Sequence, residues 1–156
     1  YYNEKYYVNS KMINSDEAYT EVWANILNCF LISQLYNEKS YTKFLTMISL
    51  EINYSIYLAQ KILDKIKELN KLDINKETNV LAYYLIRAEI YENFDKFIKI
   101  SKNENKDYIN ISKNSSIFNF LMKNNKITEN NSLFNNSHKN TIIYKTMRMS
   151  LMEIYI

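Results

Sequence analysis

Residues Tyr41 to Leu69 read YTKFLTMISLEINYSIYLAQKILDKIKEL, and their phasing decides the fold class. Apolar side chains recur at Leu45, Ile48, Ile52, Ile56, Ala59, Ile62, Ile66 and Leu69, always three or four residues apart. That step matches the 3.6-residue turn of an α-helix and fails the two-residue alternation of a half-buried strand. Neither Gly nor Pro interrupts the run. A helix of this length extends about 45 Å, at roughly 1.5 Å per residue.

Upstream, Ser15 followed by DEAYTEV has the form of a helix start, with a capping hydroxyl and Asp16 and Glu17 at the positive end of the helix dipole. Ala18, Val22, Ile26 and Phe30 then form an apolar stripe, widened by Tyr19, Trp23 and Leu27, which carries the helix to about Tyr36. NEKS ends it, and Ser40 is a candidate cap for the next helix. So short a connection predicts an antiparallel hairpin, with Trp23 buried between the two helices. Downstream, NKLDINKET leads to a third helix near Asn79 to Ser101. Its buried face is expected to be Leu81, Leu85, Ala88, Tyr91, Phe94 and Ile98, with Glu92 and Lys96 paired on the solvated side.

Beyond Lys102 the pattern thins. NENKDYINISKNSS reads as loop, and Ser115 or Ser116 would cap a short helix through IFNFLMKN. Lys126 to Asn140, KITENNSLFNNSHKN, has the lowest apolar density and is read as a connector, the segment least protected by burial. TIIYKTMRMSLMEIYI then forms a last amphipathic helix, with Ile143, Met147, Leu151 and Ile154 on one face. The fold class is therefore all-α: three long helices, two forming an antiparallel hairpin, plus one or two shorter C-terminal helices. The expected organisation is a bundle over residues 1–125, a connector over 126–140 and an amphipathic helix over 141–156. Together they make a single domain, and a chain that opens on Tyr1 is expected to be part of a larger protein.

Composition explains much of the polar filler. There are twenty-three Asn, twenty-one Ile and eighteen Lys, against five Ala, two Arg and neither Gly nor Pro. The abundant residues have AT-rich codons and the scarce ones GC-rich codons. The skew resembles that of malaria-parasite proteins, in codon usage rather than in family. At 47% hydrophobic and 24% charged residues, the chain still has enough apolar surface for a core. The segment LAYYLIRAEIYENFDKFIKI is similar to one tetratricopeptide unit at Tyr84, Ala88 and Tyr91. Helix starts near 16, 41 and 79 lack the constant period such an array requires.

Several chemistries are excluded or disfavoured. Phosphate-cradling loops need Gly for close backbone approach, and there is none. Cys29 and His138 are the only Cys and His, too few for a metal site of that kind and placed on separate segments. Cys29 is read as a small core residue and His138 as an exposed loop residue. Glu89, Glu92 and Asp95 are read as a solvated face. No catalytic residue, cofactor or metal ligand is expected. The longest uncharged run, Val22 to Asn37, is interrupted by Asn, Ser and Gln and is too short to span a membrane.

Charge divides the chain. Residues 1–95 hold ten basic and thirteen acidic side chains, while residues 96–156 hold ten and four. The basic tail, with Lys145 and Arg148 beside Ile143, Met147, Leu151 and Ile154, is therefore the candidate partner-binding segment, docking on an acidic surface of the bundle or of a protein partner. Arg is scarce and Lys dispersed, which argues against nucleic acid as the partner. The expected function is a non-enzymatic protein–protein interaction or scaffold domain within a larger assembly. Three alternatives compete with it: a secreted or exported parasite module that binds a host protein, a basic RNA-associated accessory subunit, and a viral Bcl-2-like antagonist of host signalling. The NWGR-type segment of that last family has no counterpart here.

Overall fold

The computed structural model describes residues 8–10, 15–35, 41–69, 72–74, 81–104, 116–121, 127 and 150–152. Helices α1 (Ser15–Leu35) and α2 (Tyr41–Leu69) are the two longest and pack against each other. The phenyl ring of Phe30, late in α1, meets that of Phe44, early in α2, with centroids 6.1 Å apart. Such end-to-start contact makes the pair an antiparallel hairpin, as its short connection requires. The third helical segment opens with a π-helical turn over Leu81–Ile86, then runs through α3 (Arg87–Glu92) and α4 (Phe94–Glu104). A short α5 (Ser116–Leu121) packs on α4.

The third segment is one helix in the sequence reading and two in the structure, and Asn93 supplies the reason. Its side-chain amide donates to the Glu89 carbonyl at 3.1 Å, taking the acceptor that its own N–H would use in a continuous helix. The Asn93 N–H turns instead to the Ile90 carbonyl, at 3.1 Å, and the regular pattern resumes with the Phe97 N–H on the Asn93 carbonyl. Asn93 itself leaves helical geometry, at φ −120° and ψ 33°. At the far end, the Glu104 carboxylate accepts the Ser116 N–H at 3.1 Å and so fixes where α5 begins.

Two contacts orient α1 against the third segment. The Tyr83 hydroxyl donates to Glu17 at 3.0 Å, and the Arg87 guanidinium donates to Glu21 at 3.3 Å. Both rungs join residues 66 apart, so the two helices run in the same direction. The bundle is up, down, up. Strands β1 (Val8–Ser10) and β2 (Leu72–Ile74) form a parallel pair in register Val8↔Leu72, Asn9↔Asp73 and Ser10↔Ile74. This pair is absent from the sequence reading. The α1–α2 hairpin between them serves as the crossover that a parallel pair needs.

The core lies where α1, α2 and α3 meet. Ala18 and Val22 of α1, Ala59 and Ile62 of α2, and Leu85, Ile86 and Ala88 of the third segment are all buried. Burying a Leu or Ile completely is worth about 1.5–3 kcal/mol, so this junction dominates the stability. Phe97 then joins α4 to α1, with its ring 5.9 Å from both Tyr19 and Trp23. Trp23 therefore packs toward α4 rather than between α1 and α2, and is only partly buried.

Other expectations change at the ends of the helices. Phe30 and Leu27 of α1, and Leu45 and Leu69 of α2, are exposed instead of buried. Phe94 and Ile98 are half-buried, packed at the margin of the core. Lys96 lies with its ammonium 5.8 Å from the Phe120 ring. Ser40, the connector 126–140 apart from the buried Ile127, His138 and most of the helix expected over 141–156 lie outside the described residues.

Candidate functional site

Two features of the folded chain are candidates for function, one inside the bundle and one on its surface. The interior holds charged and polar side chains that the helical periodicity alone would leave outside. Glu51 and Arg87 are fully buried, and Glu89 is almost so. Asn25, Ser55 and Ser101 are buried as well. Glu89 corrects the expected solvated carboxylate face, because α3 is covered by neighbours all round. Each residue from Leu85 to Tyr91 is buried.

Glu51 has a defined task. Its carboxylate accepts the Ser150 hydroxyl and the Leu151 N–H, both at 2.9 Å, while the Met152 N–H donates to the Ser150 oxygen at 3.1 Å. A buried carboxylate on α2 thus caps a turn near the C-terminal end of the chain. Leu151 lies against the small buried cluster of Tyr54, Tyr57 and Leu58, also on α2. Of the candidate partner-binding residues, Leu151 alone is described. Ile143, Lys145, Met147, Arg148 and Ile154 lie outside the described residues.

The same interior sets the reactivity of the only thiol. Burial pushes Cys29 up from 9.0 to about 12, and the charge of Glu51 adds to the rise. A thiol held in that form is a poor nucleophile at neutral pH. Burial also raises the Tyr91 hydroxyl above its ordinary value; the positive charge of Arg87 opposes the rise, and the negative charge of Glu51 adds to it. Among the described residues no group of three His, Cys, Asp or Glu could hold a metal ion. The interior polar groups are therefore suited to fixing helix positions. They present nothing to a solute outside.

The surface candidate lies at the α1–α2 end of the hairpin. Leu27, Phe30, Leu31 and Leu35 of α1, with Tyr41 and Leu45 of α2, are each between 45% and 79% exposed. Ala24 is exposed too, and it continues the line toward the N-terminal end of α1. Ala24, Leu27, Leu31 and Leu35 follow one another at steps of three, four and four, which places them along one helix face. Phe44 sits beneath the patch, its ring 6.1 Å from Phe30 and 6.4 Å from Tyr41, so the two helices contribute one continuous surface. Val22 to Asn37 contains no charged residue, so α1 adds no charge to this face. Periodicity placed Phe30 and Leu27 in the core, and that assignment hid the patch. The uncharged run was the readable signal.

No helix among the described residues is long and apolar enough to cross a membrane. No family model, curated protein or solved structure matches the chain.

Proposed function

We propose that this chain is a non-enzymatic helical interaction module, a protein-binding or scaffold domain whose contact face is the α1–α2 end of the hairpin. The observation that supports it is the exposed, contiguous set of Leu27, Phe30, Leu31, Leu35, Tyr41 and Leu45. Isolated exposed Leu residues are ordinary, whereas a contiguous apolar patch of a few hundred Å² marks an interaction surface. Two aromatic side chains with aliphatic neighbours are also the composition found at the centre of protein interfaces. The buried state of Cys29, Glu51 and Glu89 supports the non-enzymatic half of the reading, because none of them can reach a substrate.

The test compares proteins retained from source-cell extract by the wild-type chain and by a Leu31→Glu/Leu35→Glu variant. A Lys65→Glu variant, altered on a distant exposed turn of α2, serves as the control. The reading expects one set of partners kept by wild type and control and lost by the double variant. Identical retention by all three would refute it.

A further inference from the structure

We propose that the occupant of the α1 face is a second copy of this chain, paired antiparallel about a twofold axis that passes by Leu31. This rests on the reading of that face as an interaction surface and goes on to name its partner. In an antiparallel pair centred on Leu31, Leu27 of one copy meets Leu35 of the other, and Leu31 meets its own counterpart. Phe30 lies beside the axis, and Tyr41, beyond Leu35 at the hairpin end, covers the Ala24 side of the partner. A face that repeats Leu at 27, 31 and 35 is complementary to itself in this arrangement, as an isologous interface requires.

Charge points the same way. Interfaces that choose among different partners do so largely through complementary charge. The exposed face of α1 from Ala24 to Leu35 has no charge to read and none to repel an identical copy. The chain's net charge of +3 is small enough that two copies repel only weakly. Opposed helix dipoles favour the antiparallel sense.

The area is adequate. Six side chains, each about half exposed or more, present on the order of 600 Å² when a whole aromatic side chain counts for roughly 150–250 Å² and a Leu for somewhat less. Stable specific interfaces use roughly 800 Å² per partner, and weaker ones less, so the face suits a dimer of modest affinity.

Sedimentation equilibrium of the full 156-residue chain tests this. The expected mass rises from 18.8 kDa toward twice that value as concentration increases, across roughly 1 to 100 µM, the range for a modest interface. The Leu31→Glu/Leu35→Glu variant should stay at 18.8 kDa with an unchanged far-UV spectrum, since both side chains are exposed. A Leu31→Cys variant should form a covalent dimer on mild oxidation, because the axis brings the two Cα atoms within about 4.4–6.8 Å. A wild-type chain that remains at 18.8 kDa throughout would overturn the proposal, as would a dimer that survives the double substitution. A monomer that pellets with phosphatidylcholine vesicles would assign the face to a lipid surface and also overturn it. If the chain stays monomeric yet the double variant loses partners from extract, the second-copy proposal falls and the interaction-module reading stands. If the chain is monomeric and partner retention is unchanged, both fall.

Discussion

Glu51 and Cys29 occupy neighbouring turns of the hairpin interior, and each shows how burial changes what a side chain does. Neutral pH leaves the Cys29 thiol protonated in the folded chain, because its titration has moved from 9.0 to about 12. The unfolded chain loses that proton first. The stability contributed by the neutral thiol is thus fully present below pH 9 and is lost as pH rises from 9 toward about 12. Within that window the slope from one such group is about 1.4 kcal/mol per pH unit. Tyr91, raised in the same direction from 10.0, steepens the upper part of the decline. Denaturant melts between pH 8 and 11 should show this loss, and Cys29→Ala should flatten the lower part of it while lowering stability at neutral pH. A Cys29→Ala curve as steep as wild type between pH 9 and 10 would rule out the thiol as the cause. Native Cys29 should also resist iodoacetamide until the chain is unfolded.

Between elements, two contacts decide which helices stay together. Phe97 is fully buried, and its ring lies near Tyr19, Trp23, Phe94 and Phe120, so it joins α4 to both α1 and α5. Phe97→Ala should cost about 3–5 kcal/mol, as large-to-small changes in a core do. Trp23 fluorescence should shift to longer wavelength in the folded variant; an unchanged spectrum would mean that Phe97 does not shield the indole. The second contact is the Glu51 cap on the turn at Ser150 and Leu151. Glu51→Ala removes the acceptor for the Ser150 hydroxyl and the Leu151 N–H, at a cost of about 1–3 kcal/mol for buried groups left unsatisfied. Amide exchange at Leu151 and Met152 should accelerate more than exchange in the centre of α2. Glu51→Gln keeps an acceptor oxygen and should lose less. Equal losses from the two substitutions would show that the negative charge, rather than the cap, matters at this position.

For the molecule as a whole, protection should follow burial rather than helix length. In α2 every residue from Tyr54 to Ala59 is buried, and the third segment is buried from Leu85 to Tyr91. These stretches should show the slowest amide exchange, with free energies close to that of global unfolding. The end of α1 from Leu27 to Leu35 is mostly exposed and should exchange sooner at low protein concentration. If two copies pair through that face, its protection should increase with concentration while the α2 centre stays constant. Exchange in α1 and α2 that is equally slow under all conditions would contradict this gradient. The polar rungs Tyr83–Glu17 and Arg87–Glu21 belong to the same scale, because they set the parallel sense of the outer helices. Arg87 is fully buried and Glu21 is not, so Glu21→Ala, which leaves a buried guanidinium without this counter-charge, should destabilise more than Arg87→Met, which keeps most of the packed stem, when the two are compared by thermal melting.

Periodicity in a single segment, Tyr41 to Leu69, determined that this chain is helical, and a five-residue gap before it determined that α1 and α2 form a hairpin. Those properties are local: a turn repeats every 3.6 residues, and a short connection leaves adjacent helices no other course. The polar interior was only partly legible. Glu51 falls three residues after Ile48 and four before Ser55, on the buried stripe, yet its carboxylate argues for solvent until its partners at Ser150 and Leu151 are known. Arg87 interrupts the apolar run LAYYLIRAEIY, one of two Arg in the chain, and its pairing with Glu21 across 66 residues is a tertiary contact that the run itself does not announce. Asn93 looks like ordinary helix-surface filler until its amide is seen on the Glu89 carbonyl. The interaction face was the reverse case. Leu27, Phe30 and Leu45 have the phase of core residues, and phase states which residues share a face without stating what covers it. Tertiary structure decided that, because α3 and α4 pack against other faces of the hairpin and leave its end uncovered by the described residues.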